Sequence, residues 1–218
     1  MDDRNRSTIS PKPPLVTSYD RVAAEYTARI ADELDGKPLD RALLRAFAEQ
    51  VRGPIWDLGC GPGHVAAFLA SLGTAVEGVD LSSGMVAQAR QRHPNLSVRQ
   101  GDLRDLAIPA ATLGGIVAFY SIIHLDPTDL VPAFQEWWRA LRPEGRVLVA
   151  FHSGDTVVHL DTWWDQPVDL DFRFLPLAHV SAALQQAQFH IEAELVRAPY
   201  PQVEHPSQRA YILARKDG

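Results

Sequence analysis

A turn with glycine at every second position is the feature that most constrains how this chain folds. Residues 56–64 read WDLGCGPGH and follow an apolar run that begins at Pro54. Glycine has no Cβ, so Gly59 and Gly61 can take positive φ angles and let a ligand come close to the backbone. The helix expected after the turn would offer free N–H groups and the positive end of its dipole to an anionic group. The dinucleotide pattern Gly-x-Gly-x-x-Gly fails at His64, so the turn is not that fingerprint.

The second signal is an acid at the end of the next predicted strand. Residues 75–80 read AVEGVD, and Asp80 follows the glycine turn at about the twenty-residue spacing typical of ribose-binding acids. Such an acid can reach both hydroxyls of a ribose, because a carboxylate accepts two charge-assisted hydrogen bonds at once. The alternative is that Asp80 only caps the helix beginning near Ser83, a role that Ser82 and Ser83 can fill themselves.

Three further segments follow in chain order. Residues 98–103 (VRQGDL) end a short strand in Gly-Asp-Leu, and residues 115–124 (GIVAFYSIIH) form an apolar strand that ends in a loop. Residues 141–149 (LRPEGRVLV) stop a helix and start another buried strand after a glycine turn. Strands that alternate with helices at this spacing predict βαβ units and a parallel sheet covered on both faces.

These five segments span residues 54–151, and together they resemble the class I S-adenosylmethionine-dependent methyltransferases. The resemblance implies a Rossmann-like, doubly wound α/β fold with a seven-stranded, mostly parallel sheet whose last strand is antiparallel. It implies S-adenosylmethionine as cofactor and S-adenosylhomocysteine as product, with Asp80 on the ribose, Asp102 on the adenine amino group and the Leu103 N–H on the adenine ring. The cofactor-binding residues predicted in this way are Tyr26, Asp57, Gly59, Cys60, Gly61, Asp80, Leu81, Met85, Asp102, Leu103 and Tyr120.

The rest of the chain is expected to extend this domain rather than to form a second one. Residues 1–14 are polar and rich in proline, which predicts a flexible arm, and residues 15–218 are expected to form a single domain. Within that domain, residues 15–52 are predicted to form a helical lid, and residues 152–179 a substrate-side insertion without a clear period. The predicted helices are 18–34, 38–51, 62–72, 84–92, 130–141 and 180–188, and the predicted strands are 54–58, 75–80, 97–100, 115–119, 145–151, 189–197 and 208–215.

The lid and the insertion are the segments that can cover an acceptor, because ligands of open α/β sheets bind outside the carboxyl ends of the strands. Residues 19–26 (YDRVAAEY) resemble the segment with which the family folds over cofactor and acceptor; the alternative is that these tyrosines only pack on the sheet. Trp163 and Trp164 are candidate pocket walls or, alternatively, core residues. The predicted substrate-binding residues are Tyr19, Tyr26, Ile123, His124, His152, Trp163 and Trp164.

His124 is the candidate catalytic residue, because it follows the strand that ends beside the methyl group in this family. A histidine pKa near 6.5 would let it take a proton from an acceptor hydroxyl or amine. The alternative is that His124 only hydrogen-bonds its loop, and His152 is the reserve candidate. A sulfonium methyl group is already activated, so the reaction needs mainly alignment, and it needs a base only if the acceptor must lose a proton.

Composition narrows the class of partner. The net charge is −6 with scattered basic residues, and residues 119–122 lack the Asn/Asp-Pro-Pro-Tyr motif of amino-methylating nucleic-acid enzymes, so no nucleic-acid partner is expected. Cys60 is the only cysteine and the histidines lack ligand spacing, so neither a disulfide nor a metal site is expected. The sequence has no signal peptide and no membrane-spanning run, which predicts a cytoplasmic protein without a membrane partner.

The predicted function is therefore methyl transfer by in-line displacement to an oxygen, nitrogen or carbon atom of a small-molecule acceptor. The alternatives are a protein methyltransferase and a non-catalytic regulator that binds the cofactor with the same fold. The sequence leaves open which molecule accepts the methyl group and how many copies of the chain associate.

Overall fold

The computed structural model describes residues 14–218. The arm predicted at residues 1–14 lies outside the described residues except for Pro14, which is the first residue of the first helix. The helices are α1 (Pro14–Ile30), α2 (Pro38–Gln50), α3 (His64–Ser71), α4 (Ser83–Arg92), α5 (Leu130–Ala140) and α6 (Leu177–Gln186). The strands are β1 (Ile55–Leu58), β2 (Val76–Asp80), β3 (Ser97–Gln100), β4 (Leu113–Phe119), β5 (Leu141–Ser153), β6 (Val157–Trp163), β7 (Gln166–Arg173), β8 (Phe189–Arg197) and β9 (Gln208–Lys216). Short 3-10 helices lie at Glu33–Gly36, Ile122–His124 and Pro127–Asp129.

Seven strands form one sheet in the order β3-β2-β1-β4-β5-β9-β8. The pairs β3–β2, β2–β1, β1–β4 and β4–β5 are parallel, whereas β9 runs antiparallel to both β5 and β8. All residues of β1 and β4 are buried, as expected for central parallel strands covered by helices on both faces. The predicted fold, a doubly wound and mostly parallel sheet with an antiparallel last strand, is confirmed.

The core lies in two layers, one on each face of this sheet. Successive side chains of a strand point to opposite faces, and β5 shows this directly. Val147 and Val149 pack into the layer that contains the fully buried Trp137, whereas Leu148 packs into the layer that contains Phe47. This double burial holds the strand ends in place, and a ligand site can therefore form at the edge of the sheet.

The insertion at residues 152–179 differs from its expected irregular form, because it is mostly an antiparallel hairpin of β6 and β7. Its turn places Trp164 and Asp165 at φ angles of 49° and 61°. Val168 and Leu170 alternate along β7 and pack against Val22 of α1. That period-two pattern was present in the sequence and is the signal by which the hairpin could have been found.

Helix α1 is attached on two sides, so it covers the strand ends rather than projecting from them. On one side, the Asp20 carboxylate accepts hydrogen bonds from the Ser82 hydroxyl at 2.7 Å and from the Gly84 N–H at 2.8 Å, at the start of α4. On the other side, the Ser18 hydroxyl accepts a 2.8 Å hydrogen bond from the Asp169 N–H of β7. The hairpin and the N-terminal helix thus form one continuous cover.

The start of the fifth strand was predicted too late in the chain. The sequence suggested a helix stop at Leu141 and a new strand only from Gly145, but β5 already begins at Leu141, which pairs with Leu113. Glu144 takes a φ of 64°, and the register of β4 against β5 shifts between Leu113 and Gly115. The glycine turn is therefore an irregularity within a long strand. None of the helices within residues 14–218 is long and apolar enough to span a membrane.

Candidate active site

A cavity of about 170 Å³, which we call the strand-end cavity, lies at the carboxyl ends of β1, β2 and β4. Helix α1 contributes Tyr19 and neighbouring residues to its wall. His124 also lies in this wall, beside the predicted cofactor residues. The predicted cofactor-binding residues that it brings together are Tyr26, Gly59, Gly61, Asp80, Leu81, Met85, Asp102, Leu103 and Tyr120. Asp57 and Cys60 line instead a smaller adjoining cavity of about 30 Å³ behind the glycine turn, which we call the turn cavity.

The glycine turn has the geometry that its sequence predicts. Gly59 and Gly61 adopt φ angles of 74° and 52°, in the left-handed region that disfavours residues with a Cβ. A Cβ on Gly59 would lie 2.3 Å from the Cβ of Ser121, so glycine is needed there for space as well as for conformation. A Cβ on Gly61 would meet nothing closer than the Tyr26 ring at 3.8 Å. Gly61 therefore leaves bare backbone facing the cavity.

Asp80 connects the ends of two neighbouring strand loops. Its carboxylate accepts hydrogen bonds from the Gly61 N–H and the Ser82 N–H, both at 2.8 Å. Burial raises the pKa of Asp80 to about 6, although these two N–H groups oppose the rise. Helix α4 is capped by Ser82, whose hydroxyl accepts from the Met85 N–H at 3.1 Å, so Asp80 is not the cap. Its remaining lone pairs face the strand-end cavity and could hold two ribose hydroxyls.

Asp57 is a buried acid that lines the turn cavity. It is 1% exposed, and its Oδ2 finds no hydrogen bond among residues 14–218. Burial raises its pKa to about 7. His64, which also lines the turn cavity, has a buried Nδ1 without a hydrogen-bond partner among the described residues, while its Nε2 lies 3.2 Å from Glu33. A buried carboxylate without a partner is costly, so a bound cationic group such as a primary ammonium would fit this cavity.

The far end of the strand-end cavity is formed by the loop after β3. The Asp102 carboxylate accepts from the Arg104 guanidinium at 2.7 Å and from the Arg104 N–H at 2.8 Å. Burial opposes ionisation, but these hydrogen bonds outweigh it and lower the pKa of Asp102. The Leu103 carbonyl accepts from the Trp137 indole at 2.7 Å, which anchors this loop to the core. The hydrogen bonds from Arg104 thus favour the ionised form of Asp102 and fix the orientation of its carboxylate.

A second, larger cavity of about 320 Å³ lies between α1 and the hairpin, and we call it the hairpin cavity. Aromatic and aliphatic side chains form most of its wall, and a cluster of charged groups forms one end. The apolar lining residues are Tyr19, Tyr26, Ile30, Tyr120, Ile123, Val158, Leu160, Trp163, Phe172, Phe174 and Val203, and the polar ones are Glu33, Lys37, His152, Glu204, His205 and Arg209. Tyr19, Tyr26 and Tyr120 line both this cavity and the strand-end cavity.

The charges at the charged end of the hairpin cavity pair with one another. Lys37 and Arg209 are each only 3% exposed. The Lys37 ammonium lies 2.7 Å from Glu33 and 3.4 Å from Glu204, and Arg209 lies 3.5 Å from Glu204. Burial alone would raise the pKa of Glu33, but His64 and Lys37 lower it to about 2. This end is therefore polar and ionised without a clear excess of either sign.

Both ring nitrogens of His124, the candidate catalytic residue, have hydrogen-bond partners. Its Nδ1 lies 2.9 Å from the Asp171 carbonyl, and its Nε2 lies 2.6 Å from the Tyr19 hydroxyl. Burial lowers the pKa of His124 to about 4, and the hydrogen bond to Asp171 only partly offsets this. The imidazole is thus held neutral near pH 7, rather than titrating near 6.5 as an unperturbed histidine does.

The other predicted substrate residues divide into two groups. Ile123, His152 and Trp163 line the hairpin cavity, whereas Trp164 stacks on Trp163 with ring centres 4.3 Å apart and does not line it. Nδ1 of His152 forms a 2.7 Å hydrogen bond with the Ser207 hydroxyl. Burial lowers the pKa of His152 to about 3, and nearby positive groups add to this lowering. Like His124, it is held neutral.

Several lining residues were missed from the sequence. Phe172 belongs to the alternating pattern of β7 and Phe174 lies just beyond that strand, so a hairpin prediction would have included them. Lys37, Glu204 and Arg209 carried no such signal, because they meet only after β9 is inserted beside β5. No group of three or more His, Cys, Asp or Glu residues arranged to hold a metal ion occurs in the described part of the chain.

Comparison with known proteins gives matches that include the region of the five sequence segments. A family model described as a methyltransferase domain matches residues 55–145. The malonyl-[acyl-carrier protein] O-methyltransferase of Yersinia pestis is 27% identical over 199 residues, which cover 88% of this chain and 73% of that protein. The demethylmenaquinone methyltransferase of Beutenbergia cavernae is 32% identical over 113 residues, covering 52% of this chain and 46% of that protein. The structure of DhpI in complex with S-adenosylhomocysteine (SAH) aligns with a TM-score of 0.72 at 23% identity, covering 94% of this chain and 96% of that one.

Proposed function

We propose that this chain, which belongs to the class I S-adenosylmethionine-dependent methyltransferases, transfers the methyl group to a small organic acceptor bound in the hairpin cavity. The observation that carries this proposal is the shared wall of the two cavities. Tyr19, Tyr26 and Tyr120 line both, so a molecule in one cavity contacts the same three rings as a molecule in the other. The two cavities therefore adjoin at these rings, and this adjacency supports direct transfer between a ligand in each.

S-adenosylmethionine is the cofactor, and it supplies a methyl group activated by a positively charged sulfur. The polar atoms of the strand-end and turn cavities support a particular orientation. Asp80 would accept from the ribose hydroxyls, and Asp102 from the adenine amino group. The unpartnered Oδ2 of Asp57 would accept from the amino group of the methionine part, which offsets the cost of burying that oxygen.

The chain contributes alignment and exclusion of water rather than elaborate chemistry. Helix α1 and the hairpin cover the two ligands, and the Asp20 and Ser18 hydrogen bonds keep this cover in position. Holding two reacting atoms about 3 Å apart in a dry site can supply several kcal/mol of the barrier. Such a mechanism favours an acceptor that fills the hairpin cavity well.

The cavity itself favours a small molecule with an apolar body and a polar end. Its volume of about 320 Å³ lies in the usual range of small-molecule sites, and aromatic rings form much of its wall. The groups at its charged end pair with one another, so they offer hydrogen bonds more than net charge. An acceptor carried on a protein is the second candidate, because the Yersinia pestis relative is named for a carrier-bound substrate.

The test is a methyl-transfer assay with the full chain, labelled S-adenosylmethionine and three sets of acceptors. The sets are small aromatic compounds, small aliphatic acids and amines, and malonyl-[acyl-carrier protein]. We expect product from at least one free small molecule. Product from the carrier-bound acceptor alone would replace the proposal with its second candidate. Tight cofactor binding without transfer to any acceptor would instead indicate a non-catalytic binding protein.

A further inference from the structure

We propose that Tyr19 is a catalytic residue that takes the proton of a neutral aromatic hydroxyl acceptor while it passes its own proton to His124. This inference rests on the proposed function and adds to it a substrate class and a route for the proton. The observation behind it is a hydrogen-bonded chain of three residues from three elements. Tyr19 lies on α1, His124 on the 3-10 helix after β4, and Asp171 on β7.

The direction of each hydrogen bond follows from the groups involved. The Asp171 carbonyl oxygen can only accept, so Nδ1 of His124 carries the hydrogen and donates it across 2.9 Å. In the neutral ring, Nε2 then has a lone pair and must accept, so the Tyr19 hydroxyl donates to it across 2.6 Å. The tyrosine oxygen keeps its own lone pairs for a further donor. That donor is not provided by His124, whose two nitrogens are both engaged.

Tyr19 rather than His124 is the member of this pair that an acceptor can reach. Tyr19 lines both the hairpin cavity and the strand-end cavity, whereas His124 lines only the strand-end cavity. The ring of Phe172 lies 5.0 Å from the imidazole and shields it on the hairpin side. A hydroxyl in the hairpin cavity would therefore donate to Tyr19, and His124 would receive the proton only through it.

The proposed step is balanced in atoms and electrons. The acceptor oxygen forms a bond to the methyl carbon, the bond between carbon and sulfur breaks, and its electron pair stays on the sulfur. The acceptor O–H bond breaks as its proton moves to the Tyr19 oxygen. The Tyr19 O–H bond breaks as that proton moves to Nε2 of His124, which becomes an imidazolium. Loss of this proton to solvent after product release restores the pair.

The surroundings suit a pair that is neutral at rest. Burial raises the pKa of Tyr19, and the nearby Tyr26 and Asp80 add to that rise. Arg173 of β7 disfavours a positive charge on the imidazole, whereas the Asp171 carboxylate favours one. That carboxylate is itself hydrogen-bonded to His159 at 2.9 Å and to Arg173 at 3.3 Å. The neutral imidazole is therefore available as a proton acceptor down to about pH 4, where burial places its pKa. A hydroxyl becomes acidic enough for such a weak base only as it bonds to the methyl carbon.

The relay also distinguishes acceptor classes. A carboxylic acid is already ionised near pH 7 and needs no base, whereas an aromatic hydroxyl keeps its proton there. A buried pair that accepts a proton therefore favours the hydroxyl. The rings of Tyr26, Trp163, Phe172 and Phe174 around the hairpin cavity suit an aromatic body.

The first experiment uses two probes that differ only in the reacting group, 2-naphthol and 2-naphthoic acid. Methyl transfer to each is followed through SAH formation, and their binding to the SAH complex is measured by calorimetry. We expect 2-naphthol to be methylated in preference to the acid. Preference for the acid, or failure of 2-naphthol to bind and react while another class of acceptor is methylated, overturns the proposal and leaves the proposed function intact. Failure of every acceptor overturns both.

The second experiment tests the relay with variants. Tyr19→Phe should lower kcat with 2-naphthol by roughly a hundredfold, with KM and SAH affinity changed less than about threefold. His124→Gln should lower kcat to a similar degree, because an amide cannot hold the extra proton. Tyr200→Phe and His190→Gln, at positions outside both cavities, are the matched controls. If Tyr19→Phe raises only KM, or if His124→Gln keeps most of the rate, the pair only positions helix α1 and the relay is wrong.

The third measurement is independent of turnover. In the SAH complex, nitrogen NMR of His124 should show a neutral ring with the proton on Nδ1 between about pH 5.5 and 8. At saturating S-adenosylmethionine, kcat with 2-naphthol should be flat over this range and should fall only near pH 4. A rate that falls through pH 6.5, together with an imidazole that titrates there, would overturn the proposal.

Discussion

The Asp80 carboxylate accepts the Gly61 N–H across 2.8 Å, and this hydrogen bond joins the acid that ends β2 to the glycine turn after β1. Both ends of the bond line the strand-end cavity. The acid therefore shapes the turn, and under the proposed function it would also present its remaining lone pairs to the ribose of the cofactor. Substitutions at this position should affect both the fold of the turn and the affinity for cofactor.

Asp80→Ala is expected to weaken cofactor binding strongly. Loss of two charge-assisted hydrogen bonds to the ribose should cost about 2–4 kcal/mol, or roughly thirty- to a thousandfold in affinity. Calorimetric titration with SAH measures this directly. Glu77→Ala is the matched control, since Glu77 lies on the same strand and pairs with Arg99 outside the cavity. Equal affinity of the Asp80 variant and the parent would show that the ribose lies elsewhere.

Cofactor binding should release protons below about pH 7. Burial raises the pKa of Asp57 to about 7 and that of Asp80 to about 6, so both hold protons in the free protein at lower pH. A bound ammonium group stabilises the Asp57 carboxylate and lowers its pKa, so affinity should rise from about pH 5 to 7 and then level off. Calorimetry in two buffers of different ionisation enthalpy counts the released protons. Asp57→Asn should remove much of this release, and a parent protein with none at pH 6 would contradict the assignment.

Gly59→Ala should destabilise the fold more than Gly73→Ala, although both glycines have positive φ angles. A left-handed conformation costs a residue with a Cβ about 1–2 kcal/mol, and the 2.3 Å approach to Ser121 should add about 1–3 kcal/mol. Gly73→Ala is the matched control, because Gly73 has a φ of 86° but no atom within 4 Å of the added Cβ. Urea denaturation gives the free energy of unfolding of both variants. Equal losses would mean that the Ser121 loop moves aside at little cost.

Phe174→Ala should weaken acceptor binding without affecting the cofactor. Phe174 lines only the hairpin cavity and stacks on His152 with ring centres 5.0 Å apart. Loss of this apolar surface should raise KM for the acceptor roughly tenfold or more, from about 1.5–3 kcal/mol of lost burial. Steady-state kinetics with any acceptor found in the panel, beside SAH titration, separates the two effects. Val196→Ala, at an exposed position, serves as control. A loss of SAH affinity in Phe174→Ala that matches its loss of acceptor binding would argue against separate cavities.

The fold and the cofactor class were predicted from local sequence features whose positions in an open α/β sheet follow a general rule. The glycine turn, Asp80 and Asp102 each follow a predicted strand, and parallel strands bring their carboxyl ends to one edge of a sheet. The order of these elements along the chain was therefore enough to predict that they line one cavity. The hairpin was missed although Val168 and Leu170 alternate, because a long insertion with acids and tryptophans masks a short period-two signal.

By itself, the sequence determined the parallel sheet, the turn at Gly59 and the residues gathered at the strand ends, because these follow from hydrophobic period, glycine conformation and chain order. Only the tertiary structure decided the chemistry of His124. Its partners lie 105 and 47 residues away along the chain, at Tyr19 and Asp171. Burial, which lowers the pKa of His124 to about 4, depends on how α1 and the hairpin close over it. Hydrogen-bond direction and desolvation are properties of the packed neighbourhood, and no local pattern in the sequence encodes them.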